Sequence, residues 1–274
     1  MRGGRVGGNA NQCVKQALSV SGLSKSFGGI RAVERCGLSI PKGRIVMLIG
    51  PNGAGKTTLF DMICGFLAPD EGNVTINGRA TARLKCHEVA RLGVSRTFQQ
   101  VRLFANLSIF EHIDICANLY NESMYANLAA PRPLSRHAAE KIVRRMGLKM
   151  PLETKVSELS YGQRKLLSLA MAIAAPHDVL LLDEPVAGVN PLVREQIKDT
   201  LLALKAEGDT VFAIEHDMNF VMDIADEVLF MAEGKLLAKG RPEEIRRNKA
   251  VLDTYLGAVE SEKTAAQVKT RDAM

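Results

Sequence analysis

The sequence predicts an α/β fold. It has a core on a buried parallel sheet, an antiparallel β subdomain near the N-terminus and a helical subdomain inserted mid-chain. Three observations carry this. The runs Ile45-Val46-Met47-Leu48-Ile49, Val179-Leu180-Leu181-Leu182 and Thr210-Val211-Phe212-Ala213-Ile214 have almost no polar face. Strands covered on both sides of a parallel sheet read that way. The segment from Ala17 to Phe27 instead alternates apolar and small polar residues, as a half-exposed strand does. From Ser108 to about Ser157 the pattern turns helical.

Taken in order, residues 1–16 are rich in Gly, Arg, Asn and Gln and are expected to be a disordered leader. The alternating segment from Ala17 ends at Gly28-Gly29, and Ala32 to Ile40 forms a further strand. Pro41-Lys42-Gly43 turns the chain into the first buried strand. A helix follows over Leu59 to Gly65, and Asn73 to Ile76 is a short strand. Ser108-Ile109-Phe110-Glu111 is a capping box that opens a helix towards Tyr120. A looser stretch covers residues 121–133, and Ser135 opens a helix that stops near Gly147. The helical insertion spans about residues 105–160. Another helix runs to Ala175, and Asn190-Pro191 caps and starts one that closes at Gly208. After the Thr210 strand and a short helix from Asn219, a hairpin turns at Glu233-Gly234. A single last helix is expected from Pro242 to Leu256, and residues 258–274 form a polar, disordered tail.

Composition narrows the function. The 274 residues are 46% hydrophobic and 24% charged, which suits a sizeable core, and the net charge is +6. A basic balance suits nucleic acid, an anionic membrane surface or phosphate ligands. With no Trp and no interleaving of aromatic with basic residues, nucleic acid is not favoured as a partner. Cys13, Cys36, Cys64, Cys86 and Cys116 are odd in number and widely spaced, which argues against a disulfide framework or a zinc site. No apolar run reaches the roughly 18 residues of a membrane span.

The densest motif lies directly after the first buried strand: Gly50-Pro51-Asn52-Gly53-Ala54-Gly55-Lys56-Thr57-Thr58. Strand, G-x-x-x-x-G-K-[ST] and helix make a P-loop. Glycines let the backbone N–H groups close on phosphate at a helix N-terminus. Lys56 reaches the β- and γ-phosphates, and the Thr57 hydroxyl holds Mg²⁺. Asp183 and Glu184 end the Val179–Leu182 strand, where ligands bind in open α/β sheets. Asp183 suits Mg²⁺ and Glu184 suits a proton acceptor for attacking water.

With these motifs in one order, residues 18–257 resemble the nucleotide-binding subunit of ATP-binding cassette (ABC) transporters, a P-loop NTPase fold. Gly50–Thr58 is similar to that family's Walker A, and Val179–Glu184 to its Walker B. Leu159-Ser160-Tyr161-Gly162-Gln163 resembles the ABC signature, with Tyr161 in place of the usual glycine. Gln99 resembles the Q-loop glutamine, His216 the switch histidine, and Phe27 an aromatic that stacks on adenine. Each has a plainer reading: Ser160 as an ordinary N-cap, His216 as a surface histidine, Phe27 as a core residue. The resemblance implies that Ser160, Gly162 and Gln163 close over the ATP of a second cassette. It assigns Gln99 to Mg²⁺ and to the attacking water, and His216 to the γ-phosphate. Asn190 stands where the family usually has Asp.

Arg96–Phe104, Leu159–Gln163, Ala187–Pro191 and Tyr255-Leu256-Gly257 resemble the branched-chain amino-acid importer subfamily (LivG-like). The resemblance implies an ATPase with ATP and Mg²⁺ that powers an importer. Its partners would be a second cassette, identical or related, transmembrane permease subunits and, indirectly, a periplasmic or extracellular solute-binding protein. Its place would be peripheral, on the cytoplasmic face of the plasma membrane. A urea or amide importer is the alternative within the family. A soluble ABC ATPase is the alternative outside transport, though no second motif set or heptad run is present.

Overall fold

The computed structural model describes residues 15–118 and 134–253. The chain runs through β1 (Gln16–Phe27), β2 (Ile30–Pro41), β3 (Ile45–Ile49), α1 (Lys56–Ile63), β4 (Glu71–Ile76), β5 (Arg79–Ala80), α2 (Cys86–Arg91), β6 (Val94–Arg96) and α3 (Ile109–Ala117). It continues through α4 (Arg136–Arg145), α5 (Tyr161–Ala174), β7 (Val179–Asp183), α6 (Pro191–Ala206), β8 (Thr210–Ile214), α7 (Met218–Ile224), β9 (Glu227–Ala232), β10 (Lys235–Gly240) and α8 (Pro242–Arg246).

Two sheets form. The antiparallel one has the order β2-β1-β4-β5, and the larger has the order β10-β9-β3-β8-β7-β6. Its strands β9, β3, β8, β7 and β6 are parallel, and β10 pairs antiparallel with β9. Strand periodicity explains the uninterrupted apolar runs. Ile45, Met47 and Ile49 of β3 enter one hydrophobic cluster, while Val46 and Leu48 enter the other. The first cluster joins that face of the sheet to Ile109 and Ile113 of α3, Val143 of α4 and Leu166 of α5, so the helical insertion shares a core with it. The second holds Leu59, Phe60 and Ile63 of α1 together with Leu18, Val20 and Ile40 of the antiparallel sheet.

Caps fix the helix starts. Ser108, Ser135, Ser160 and Asn190 each accept a backbone N–H from the third residue onward, at 3.2, 3.2, 3.3 and 2.9 Å. Such a cap contributes about 1 kcal/mol.

Three local expectations need correction. α1 begins at Lys56 rather than Leu59, because the P-loop runs straight into the helix. β1 already starts at Gln16, inside the stretch assigned to the leader. The last helix is not single: α8 stops at Arg246, and helical backbone resumes over residues 249–253. Asn248 interrupts it by accepting from Ala250 N at 2.9 Å and Val251 N at 3.4 Å, the geometry of a new N-cap. Leader residues 1–14 with Cys13, the stretch over 121–133, the helix ends at Tyr120 and Leu256, Tyr255-Leu256-Gly257 and the tail lie outside the described residues. Among the described residues no helix is long and apolar enough to cross a membrane.

Candidate active site

Four neighbouring strands deliver the site at their C-terminal ends. β3 runs into the P-loop, β8 into Glu215 and His216, β7 into Asp183 and Glu184, and β6 towards Gln99. An open parallel sheet presents ligand-binding residues at that edge.

In the P-loop, Gly55 is the N-cap of α1 at φ 97°, with no side-chain cap. The first-turn N–H groups therefore lack a protein acceptor of the usual kind and suit an anion. Gly50, at φ 151°, lies so close to β9 that a Cβ would sit 1.9 Å from the Met231 carbonyl oxygen. At Gly55 a Cβ would sit 2.1 Å from that of Ala32. Gly53, at φ 78°, has open space around it. Gly53→Ala is therefore expected to cost only the left-handed backbone penalty, about 1–2 kcal/mol. Gly55→Ala adds a backbone clash and is expected to cost more than about 3 kcal/mol. Urea unfolding checks the order, and equal midpoints for the two variants would remove the close approach as the reason for glycine at 55.

Lys56 is 6% exposed. Its Nζ donates to the Gly50 and Pro51 carbonyls, both at 2.8 Å. Burial lowers its pKa, against the pull of Glu184 and Asp183. Thr57 and Asn52 are exposed, Pro51 and Thr58 half-buried, and Ala54 buried. The Ala54 carbonyl accepts from Gly234 N at 3.1 Å, so the β9–β10 turn braces the loop.

Gln99, Glu184 and His216 meet although they are far apart in sequence. Gln99 Nε2 donates to Glu184 Oε2 at 2.9 Å, and His216 Nε2 lies 2.8 Å from Glu184 Oε1. Each carboxylate oxygen keeps a lone pair for a further donor such as water. Glu184 sits at φ 48°, a left-handed conformation unusual outside glycine. Backbone bonds hold it there: its N–H to the Ile214 carbonyl at 3.0 Å, and its carbonyl from Ala187 N at 3.2 Å.

Asp183 is 3% exposed. Burial raises its pKa, Arg96 pulls it back, and Glu184 adds to the rise. Its Oδ2 lies 3.5 Å from Arg96, while Oδ1 is buried without a hydrogen-bond partner. An orphaned carboxylate oxygen beside a P-loop fits a cation or a cation-bound water.

Phe27 is 49% exposed at the β1–β2 hairpin, so it is not the core residue of the plainer reading. Ser160 and Gln163 form a reciprocal capping box, Ser160 N donating to Gln163 Oε1 at 2.8 Å, and Gly162 follows in the first turn of α5. The hydrogen bonds of Ser160 and Gln163 are local, and the structure does not bring them onto the P-loop of the same chain.

Sequence reasoning missed three supports. The Arg96 side chain, 6% exposed, pairs with Asp61 at 2.6 Å and with Asp183, and packs over Phe60, Phe66 and Phe98. Lys165 is 5% exposed and donates to the Gln99 carbonyl at 3.4 Å. Glu215, 2% exposed, accepts from Val186 N and His216 N, each at 3.0 Å, and so ties the Glu184 and His216 loops together. Burial raises the Glu215 pKa against those backbone donors. Its signal was a carboxylate placed directly after a buried strand.

Comparison with known proteins agrees with this geometry. A family model described as ABC transporter matches residues 33–187, and one described as branched-chain amino acid ATP-binding cassette transporter matches residues 235–261. The chain is 37% identical to the high-affinity branched-chain amino acid transport ATP-binding protein LivG of Salmonella typhimurium, over 88% of this chain and 97% of that one. It is 38% identical, with the same coverage, to BraF of Pseudomonas aeruginosa, which bears the same description. Among solved structures it is similar to the ADP conformation of an ATP-binding cassette of an ABC transporter, with TM-score 0.77, 31% identity, and 88% and 99% of the two chains covered. Similarity of this extent, on a P-loop and a carboxylate pair set at one sheet edge, means that the chain belongs to the ABC transporter family, as an ATP-binding cassette of the branched-chain amino acid type.

Proposed function

We propose that this ATPase powers import of branched-chain amino acids, and that Glu184 is the carboxylate that takes the proton from the attacking water. The observation that carries the reading is the convergence of Gln99 and His216 on Glu184, at 2.9 and 2.8 Å, next to the buried Asp183. ATP is bound by the P-loop, residues 50–58, through the backbone N–H groups that follow Pro51 and through Lys56, with Phe27 under the adenine. Thr57, Asp183 and Gln99 hold Mg²⁺. Among the described residues no three His, Cys, Asp or Glu side chains gather as a metal cage. Asp183 is the one carboxylate of the proposed set, and Mg²⁺ is usually held by one or two carboxylates together with phosphate and water. When bound, the ion neutralises charge on the phosphate oxygens. Glu184 then orients and deprotonates water, and His216 hydrogen-bonds the γ-phosphate.

Ser160, Gly162 and Gln163 serve the ATP of a second cassette, since their own P-loop is not within their hydrogen-bonding reach here. The work is delivered to separate membrane subunits through the helical insertion and the Gln99 loop, at the cytoplasmic face of the membrane. A solute-binding protein outside the membrane supplies the amino acid to those subunits. The names of the relatives are what supports the solute.

The test is uptake of labelled leucine, valine and urea in cells lacking the chain. Loss of leucine and valine uptake is expected, restored by wild type and not by Glu184→Gln. Loss of urea uptake alone would replace the solute.

A further inference from the structure

Tyr161, the residue that departs from the usual signature, reaches out of α5 onto the loop that leaves Glu184. Its hydroxyl donates to the Ala187 carbonyl at 3.5 Å. Its ring covers Gly188: a Cβ built there would lie 3.3 Å from Cε1 and 3.7 Å from the hydroxyl oxygen. The next residue, Gly162, packs on α6, where a Cβ would lie 3.1 Å from a Val193 methyl. The first turns of α5 and α6 are thus in contact, and the connection from Glu184 to Asn190 is held against them.

That connection has little slack. Glu184 opens it at φ 48°, and Gly188 takes φ 71°. Val186 N is held by Glu215, and Ala187 N bonds back to the Glu184 carbonyl. Asn190 closes it as the cap of α6. Beyond it, Arg194 pairs with Asp217 at 3.1 Å, directly after His216. Tyr161 itself remains 46% exposed, so it is not a core side chain that happens to touch the loop.

We propose that Tyr161 is a positioning residue that ties the N-terminal turn of α5 to the 184–190 loop and so sets the Glu184 carboxylate of its own chain. The inference rests on Glu184 as the hydrolytic carboxylate. A ring pressed on Gly188 fixes the loop backbone three to four residues from Glu184, and the tight turn carries any shift back to it. The ring contact matters more than the hydroxyl, because a 3.5 Å hydrogen bond is weak.

The experiment measures steady-state ATP hydrolysis by the full chain with Mg²⁺, alongside equilibrium ATP binding and melting temperature, for Tyr161→Gly, Tyr161→Phe, Glu184→Gln and the Tyr161→Gly/Glu184→Gln double variant. Tyr161→Gly is expected to lower kcat about 10- to 100-fold with KM and ATP affinity within about twofold, as displacement of a catalytic group does. Tyr161→Phe should keep most of the rate. On the Glu184→Gln background, Tyr161→Gly should change the residual rate little, because both act through the same carboxylate. Unchanged kcat in Tyr161→Gly, a rise in KM alone, a Tyr161→Phe variant as slow as Tyr161→Gly, or independent effects in the double variant would each overturn the proposal. A Glu184→Gln variant that hydrolyses at the wild-type rate would instead remove the reading of Glu184 on which it rests.

Discussion

Glu184→Gln is expected to lower kcat for ATP hydrolysis by about 10²–10⁴-fold, the range a positioned general base supplies, and to leave ATP affinity within a few-fold. The geometry makes this substitution informative. Gln has the size of Glu and bears the same backbone strain at φ 48°, so the loop bonds from Ile214 and Ala187 are kept. What changes is the end of the side chain. A carboxylate accepts from both Gln99 Nε2 and His216 Nε2, whereas an amide offers a single acceptor oxygen. One of the two bonds is weakened, and no group remains to take a proton from water. On the proposed reading ATP is bound by the P-loop, so its affinity should be untouched. Melting temperature, ATP binding and single-turnover hydrolysis separate these effects, and the variant is expected to retain ATP and to run as a dimer on size exclusion. A rate within about threefold of wild type would end the base assignment.

The sequence already carried whatever local physics dictates. β3, β7 and β8 are buried at every position, and apart from Thr210 and Asp183 at strand ends they read as apolar runs. The P-loop is legible because two of its glycines have backbone oxygens where a Cβ would go. The caps at Ser108, Ser135 and Asn190 are legible because a short polar side chain before an apolar helix has one main use there. What escaped was set by distance along the chain. The burial of Arg96 escaped because its partners Asp61 and Asp183 stand 35 and 87 residues away. The inward turn of Lys165 escaped in the same way, since the Gln99 carbonyl that it meets lies 66 residues away. β6 has only three residues, too few for a period, and exists because β7 offers it an edge. Asn248 breaks a helix that composition alone would continue.

Lys56→Met is expected to abolish the rise in melting temperature that ATP causes while barely moving the melting temperature of the nucleotide-free protein. Two effects oppose each other without nucleotide. The substitution removes a buried ammonium whose charge burial disfavours, and it leaves the Gly50 and Pro51 carbonyls unpaired. Each lost bond costs about 1 kcal/mol, and relief of the buried charge offsets part of it. The melting temperature should therefore stay within about 5 °C. With ATP the effects no longer cancel. Removing one partner of a buried charge pair costs about 2–5 kcal/mol, which near 4 kcal/mol is about 10³-fold in affinity. ATP at 100 times the wild-type Kd stabilises by about 2.7 kcal/mol, or roughly 5–11 °C for a protein near this size. At the same concentration the variant gains about 0.1 kcal/mol or less, below detection. Raising ATP in proportion to the new Kd should bring the shift back, because the N–H groups of the loop are still in place. A shift that does not return would mean that Lys56 holds the empty loop in shape, and an undiminished shift at the lower concentration would mean that the ammonium does not meet the phosphates.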